Sequence, residues 1–426
     1  MLLIKNGTIY DPKERTMKKA DLLIVDGKIQ KIEEQIAMDE LKDMDELEVV
    51  DAAGKQIGPG LIDVHVHFRD PGFTYKEDIM TGSKAAMKGG FTTVVLMANT
   101  KPCVDNEETL LYIIEKGKET GIHVETCATI TKGLAGKEVV DMENLFAKGA
   151  VGFTDDGVPI LDEELLREAM KKAAKLNLPI SLHEENPEFI TNNGVNRGIA
   201  SDSLEIGGSD RQAEISMVAR DIEVALETNA ILNVQHISTL EAVELVRKAK
   251  KKGTNIHAEA TPHHFSLTEE AVLRFGTLAK MNPPLRTEAD KEAIIEGLKD
   301  GTIDVIATDH APHSQEEKEK KITDAPSGII GLETAFSLAI TNLVRTNRLT
   351  LLEVLDRMSY GPAKLYGFKR GAVCVGEVAD LIIFDEKETV TYDSFVSKSQ
   401  NSPFQGETMY GKILYTVCDG NIVYRA

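Results

Sequence analysis

Residues 61–72 read LIDVHVHFRDPG, and their first six, LIDVHV, form a nearly continuous apolar run of β type. A strand of that composition is covered on both faces, as strands of parallel sheets are. Seven further runs share this character, namely FTTVVLM (91–97), HVETCATI (123–130), AVGFT (150–154), PISLH (179–183), ILNVQHI (231–237), NIHAEAT (255–261) and DVIAT (304–308). Between them lie segments of helical period, clearest over 163–176 and 240–251. Strands alternating with amphipathic helices make a parallel sheet covered on its outside. Eight such units predict an α/β fold closed as a (β/α)₈ barrel of the TIM type.

The chain of 426 residues exceeds the roughly 250 such a barrel needs. Its surplus lies at the two ends. Residues 1 to 56 carry short β-type runs, 2–5 and 21–25, broken by the turn signals NG and DG, and from about 371 the same pattern returns in VADLIIFD, GKILYTV and CDGNIVYRA. We expect residues 1–56 and 371–426 to form one composite β domain and residues 57–370 to form the barrel.

Composition narrows the function. Hydrophobic residues make up 42% and charged residues 28%, as in an ordinary globular protein. With 49 Lys and Arg against 69 Asp and Glu, the net charge of −20 repels phosphate backbones and anionic headgroups, which argues against nucleic acid and membrane partners. A small anionic substrate would need a local cation to reverse that field. Four scattered cysteines without a CxxC pair fit a reducing cytoplasm, and MLLIKNGTIYD reads as a strand, neither a signal peptide nor an anchor.

Polar residues recur at the C-terminal ends of the apolar runs, where barrels carry their active sites. His65 and His67 end the first, Asn99 follows the second, Asp156 the fourth, His183 ends the fifth, His236 the sixth and Asp309 the eighth. Two apart on a strand, His65 and His67 leave the same face and can share one ion. Four imidazoles with two carboxylates make a mixed N/O set suited to Zn²⁺, and six ligands exceed what one tetrahedral ion with an open position uses. A two-metal site bridged by a carboxylate is the natural expectation. Asp155 and Asp156 compete for the bridge, since adjacent strand residues face opposite ways.

Taken together, GLIDVHVHFRDPG, FTTVVLMANT, GFTDDG, the His of SLHEEN, the His of VQHIST, KMNPPLR and ATDHAPH resemble the type I bacterial dihydroorotases of the amidohydrolase superfamily. The resemblance implies reversible cyclisation of N-carbamoyl-L-aspartate to L-dihydroorotate in pyrimidine synthesis. It also implies that His65, His67 and Asp309 hold one Zn²⁺, that His183 and His236 hold a second, and that Asp156 bridges them. No Lys lies in GFTDDG to serve as the carboxylated lysine that many superfamily relatives use. A zinc-activated hydroxide would attack the ring carbonyl, with Asp309 as general acid and base.

Arg69 offers a fork for the substrate carboxylate. By resemblance Asn99 and His313 join it, Asn282 bonds the ureide ring, and His67, Ser327 and backbone near Gly328 complete the substrate contacts. Two positions depart from the family pattern, which commonly has Pro at Ala98 and Phe at Ser327. His263 and His264, adjacent in TPHHF, are assigned to structure near the site, and His123 and His257, early in their strands, to structure away from it. Residues 314–324 (SQEEKEKKITD) read as a solvated loop or a lid. A homodimer is expected on general frequency. The rival readings are a hydantoinase or allantoinase, which needs no carboxylate clamp, and a silent scaffold for aspartate transcarbamoylase, an association the sequence leaves open.

Overall fold

The computed structural model describes residues 1–41, 47–253 and 255–426. Residues 42–46, inside the expected terminal domain, lie outside the described residues. Strands β1 (Leu2–Asp11), β2 (Thr16–Val25), β3 (Lys28–Glu33), β4 (Glu48–Asp51) and β5 (Gln56–Pro59) open the chain. The middle carries β6 (Leu61–Val66), β7 (Phe91–Leu96), β8 (His123–Thr126), β9 (Pro179–Leu182), β10 (Ile231–Val234), β11 (Ile256–Ala260) and β12 (Val305–Ile306). The chain closes with β13 (Leu381–Thr391), β14 (Thr408–Cys418) and β15 (Asn421–Arg425).

The two chain ends share one sheet, in the order β15-β14-β13-β5-β1-β2-β3, with β4 also pairing to β1. Its seam is the antiparallel pairing of β5 with β13, where Gln56 opposes Phe384 and Pro59 opposes Leu381. Alternating apolar residues of this sheet, among them Ile4, Ile9, Leu22, Ile24, Ile57, Leu381 and Ile383, pack into a core of their own. The DG at Asp26–Gly27 turns a hairpin between β2 and β3 with positive φ at both residues, the signature of a type I′ turn. The NG at Asn6–Gly7 is not the turn its sequence suggests. There β1 continues through a bulge, with Asn6 at φ 62° and its N–H donated to Asp21 Oδ1.

In the middle, β6, β7 and β8 pair in parallel, and so do β9, β10, β11 and β12. Every residue of β6, β7, β9 and β12 is buried, as two-sided coverage requires. Single parallel bridges span the remaining gaps: Ala128 to Phe153, Phe153 to Ile180, and Val66 to His310. The fourth apolar run, AVGFT, thus contributes one bridging residue and no regular strand, and the eighth contributes only two strand residues.

Helices cover these sheets. The segment Glu163–Leu176 is helical as its periodicity predicts, starting at an Asp162 cap and ending on Asn177 in the left-handed region. Leu166, Ala169, Met170 and Ala173 form its buried stripe. Residues 314–324, read as a solvated loop or a lid, contain a helical turn. Gln315–Lys318 is a short helix closed by a capping box between Ser314 and Glu317, and Lys318 is only 5% exposed. Among the described residues no helix is long and apolar enough to cross a membrane.

Candidate metal and substrate site

His65 and His67 leave β6 and its C-terminal end side by side, with ring centroids 5.4 Å apart. Facing them are two carboxylates from distant segments. Asp156 Oδ1 lies 3.4 Å from His65 Nε2 and Asp156 Oδ2 lies 3.4 Å from His67 Nε2. Asp309 Oδ1 lies 3.0 Å from His67 Nε2 and 3.5 Å from His65 Nε2. The other two imidazoles approach Asp156 from the ends of β9 and β10, His236 Nε2 at 3.7 Å and His183 Nδ1 at 3.8 Å. All six side chains are buried. Asp155, the other half of the doublet, turns away and accepts the N–H groups of Ile130 and Thr131.

The hydrogen bonds behind the cluster fix which nitrogen each ring presents. Glu259 Oε2 lies 3.0 Å from His65 Nδ1, and a carboxylate can only accept, so Nδ1 carries the proton and Nε2 turns a lone pair inward. Asn99 donates Nδ2 to Asp156 Oδ2, which leaves its Oδ1 to accept from His67 Nδ1 at 3.0 Å. Glu185 accepts from His183 Nε2 at 3.1 Å, so that ring presents Nδ1 instead. Lone pairs of His65, His67 and His183 therefore crowd against two carboxylates. His65 Nε2 is fully buried with no hydrogen-bond partner.

Such a centre demands positive charge. Burial opposes a charged His65, yet Asp309 and Asp156 raise its pKa well above the ordinary imidazole value. Burial likewise works against Asp156 and Asp309, and the histidines still hold both below the usual carboxylate range. Either protons or cations meet that demand. Two overlapping sets, His65 with His67 and Asp309, and His65 with Asp156 and His236, have donor atoms within 4.8 Å of one another. The residues present therefore fit divalent cations with N/O ligands.

Three residues of the site also hold unusual backbone. Arg69, His236 and Asp309 have φ of 58°, 33° and 47°, in the left-handed region that costs a non-glycine residue of order 1 kcal/mol.

A cavity of about 210 Å³ opens beside the cluster, bounded by His67, Arg69, Asn99, Asp156, His183, His236, Asn282, Asp309, His313 and Ser327. That is below the roughly 300–1,000 Å³ of pockets for drug-sized ligands, so the occupant is small. The histidines and aspartates share it with Arg69, whose Nε donates to Pro312 O at 3.3 Å and whose Nη2 lies 3.5 Å from His313 Nε2. Neither Asp70 nor Glu77 takes it: Asp70 accepts from Lys116 and Tyr112, and Glu77 from Thr81 and Ser397.

His313 lines the same cavity. Burial, Arg69 and Lys76 push its pKa far down, so it is neutral, accepting from Lys76 at Nδ1 and donating Nε2–H to Ser327 O at 2.9 Å. Asn282 Oδ1 is buried and unpartnered. Gly328 does not reach the lining. Its N–H is bonded to Lys280 O, its carbonyl accepts Lys318 Nζ and Asn401 Nδ2, and its φ is 155°. A Cβ there would meet Ala311 O and His313 Cδ2 at 2.6 Å, so only glycine lets the wall close.

Sequence reasoning missed Glu259, Glu185 and Lys318. Glu259 was detectable as a lone carboxylate in an apolar strand, IHAEA, and Glu185 as a carboxylate two residues past His183. His264 lies near the site without touching the cluster. It shares a hydrogen bond with Thr261 Oγ1 at Nδ1 and bonds Pro283 O at Nε2, and burial with His236 lowers its pKa to about 4.

Comparison with known proteins accords with this geometry. The sequence profile of the amidohydrolase family matches residues 57–423. A Clostridioides difficile protein named dihydroorotase is 54% identical over 426 residues, all of both chains. A Clostridium acetobutylicum protein of the same name is 50% identical, over all of this chain and 99% of that one. Among solved structures, an L-hydantoinase (dihydropyrimidinase) from Arthrobacter aurescens superposes with a TM-score of 0.88 at 26% identity, covering all of this chain and 96% of the other.

Proposed function

The chain belongs to the amidohydrolase family, and from that premise we propose that it is a dihydroorotase, interconverting N-carbamoyl-L-aspartate and L-dihydroorotate. The observation that carries this reading is that Arg69 lines the same small cavity as the His/Asp cluster. A cyclic ureide bearing a carboxylate matches both the cluster and the guanidinium. A hydantoin ring without that carboxylate would leave the guanidinium buried and unpaired, at a cost that favours the charged substrate. Full-length relatives named dihydroorotase support the same choice.

Each residue then has a task. Arg69 pairs with the carboxylate and fixes the ring's orientation. Asn282 accepts a ring N–H at its unpartnered Oδ1. Asn99, its amide engaged with His67 and Asp156, supports the substrate by holding those two groups in place. Asp309 is ionised at neutral pH and can take a proton from attacking water. Its depressed pKa means it does not keep that proton, which suits a carrier delivering it to the departing ring nitrogen. Ring closure runs these steps in reverse.

His65, His67 and Asp309 would hold one Zn²⁺, His183 and His236 a second, with Asp156 between them. When bound, such ions supply Lewis acidity to the substrate carbonyl and acidify water. The parallel strands and their bridges support a closed (β/α)₈ barrel over residues 57–370, with the terminal sheet as a separate domain built from 1–56 and 371–426.

The test is an assay of the purified, metal-analysed chain with dihydroorotate, hydantoin and dihydrouracil as competing substrates. Dihydroorotate should be strongly preferred. Equal turnover of hydantoin, or no turnover by metal-loaded protein, would overturn the reading.

A further inference from the structure

A second group of potential ligands lies away from the cavity, where β8 meets the terminal sheet. His123 starts β8, Asp380 immediately precedes β13, and Cys418 and Asp419 stand at the turn from β14 into β15. His123 Nε2 lies 3.0 Å from Asp380 Oδ2 and 3.8 Å from Asp419 Oδ1. The imidazole, the Cys418 thiol and the Asp419 carboxylate offer atoms all within 4.8 Å of one another. Asp380 and Cys418 are each 2% exposed, whereas the Asp419 side chain is 60% exposed. A cavity of about 460 Å³ lined by His123, Cys418 and Asp419 gives an ion a path from solvent.

We propose that His123, Cys418, Asp419 and Asp380 form a structural site for a divalent transition ion of the zinc or cobalt type, tying the start of β8 to the terminal sheet.

The donor chemistry carries the assignment. One imidazole, one thiolate and one carboxylate, with the Asp380 carboxylate against the imidazole, make a donor set of borderline softness, which suits Zn²⁺ or Co²⁺ and not the all-oxygen ions Ca²⁺ or Mg²⁺. The backbone is already arranged for it. Asp419 and Gly420 both have positive φ, in a tight turn that sets Cys418 and Asp419 beside each other, and Asp419 N–H is donated to Asp380 Oδ1 at 2.9 Å. Without an ion the thiol is poorly used. It reaches Thr92 O, at 3.7 Å, and burial, with Asp380 and Asp419 beside it, pushes its pKa far up. Binding would displace that proton, as thiolate coordination does elsewhere.

An acidic centre bonded to one histidine can also be a plain ion pair, and the experiment separates the two. The full chain is stripped with a chelator and titrated with Co²⁺ while near-ultraviolet absorption is recorded. The catalytic cluster offers only N and O donors, so a thiolate-to-cobalt charge-transfer band comes from a cysteine, and its loss in Cys418→Ser assigns it. The band should appear in the native chain and in Cys103→Ser, and vanish in Cys418→Ser together with one bound ion per chain. His123→Gln, which can keep the hydrogen bond to Asp380, should need at least about tenfold more Co²⁺ for the same band. Should Cys418→Ser not fold, His123→Gln decides alone. No band in the native chain, a band that survives Cys418→Ser, or an unchanged titration in His123→Gln would overturn the proposal. Ring-opening activity is not the readout, so the outcome is independent of the catalytic reading.

Discussion

Glu259 Oε2 sits 3.0 Å from Nδ1 of His65, across 194 residues of sequence, with both side chains fully buried. The carboxylate fixes the ring's tautomer and raises its basicity toward the cluster. Its other oxygen accepts from Asn233, so its own position is held as well. Replacing Glu259 with Gln keeps the size and removes the charge. The Glu259→Gln chain should bind its metal about 10–100-fold more weakly, measured as ion content after dialysis against graded chelator. Unchanged retention would mean that His65 needs no such support.

Arg69 acts on the substrate and not on the ion. Arg69→Met should retain metal while kcat/KM for dihydroorotate falls by about 10–100-fold, the loss of a hydrogen bond to a charged group at about 1.5–3 kcal/mol. Hydantoin turnover, if measurable, should change far less. An equal fall for both substrates would assign Arg69 to the fold of the cavity wall.

Lys318 donates to Pro326 O at 3.0 Å and Gly328 O at 3.1 Å, pinning the segment whose Ser327 carbonyl holds His313. In Lys318→Ala the Pro326 carbonyl loses this donor and the Gly328 carbonyl keeps only Asn401 Nδ2. We expect faster amide hydrogen exchange over 313–328 and a raised KM with kcat little changed. Burial and Lys280 push the Lys318 amine down to about 7. Between pH 7 and about 10.5 the unfolded chain binds the extra proton, so this group makes stability rise with pH there, a slope the variant should lack.

His264 positions Asn282 through Pro283 O. His264→Ala should raise KM about tenfold with little change in kcat, and His264→Gln, which can still donate to that carbonyl, should recover most of it. The folded imidazole has a pKa of about 4 against about 6.5 unfolded, so the unfolded chain binds more protons between those values. Its contribution, about 3 kcal/mol, is present above pH 6.5 and lost as pH falls to 4. Denaturant unfolding of metal-free protein should therefore show a shallower acid slope in either variant.

Much of this is legible in the residues. Period 3.6 locates the helix 163–176, and the shared address of His65, His67, Asp156, His183, His236 and Asp309 at run ends already implies that they meet. What escapes has physical causes. AVGFT has strand composition, yet only Phe153 finds ladder partners. Asn6–Gly7 has turn composition, but Asp21 captures the Asn6 N–H and the strand runs on. Glu259 speaks to His65 only through the fold, and no local pattern announces a partner so distant. Residues 314–324 do carry a readable signal, the Ser314–Glu317 capping box, beneath a composition that suggests solvent.

The seam between β5 and β13 also sets an order of events during synthesis. Pro59 leaves the ribosome long before Leu381, and at about 5–20 residues per second the wait is on the order of tens of seconds. Throughout that interval the edge of β5 has no partner, an open template for another nascent chain. The N-terminal strands therefore depend on the final segment of translation, and a chain stopped before Leu381 should aggregate through that edge instead of idling as a half-built enzyme.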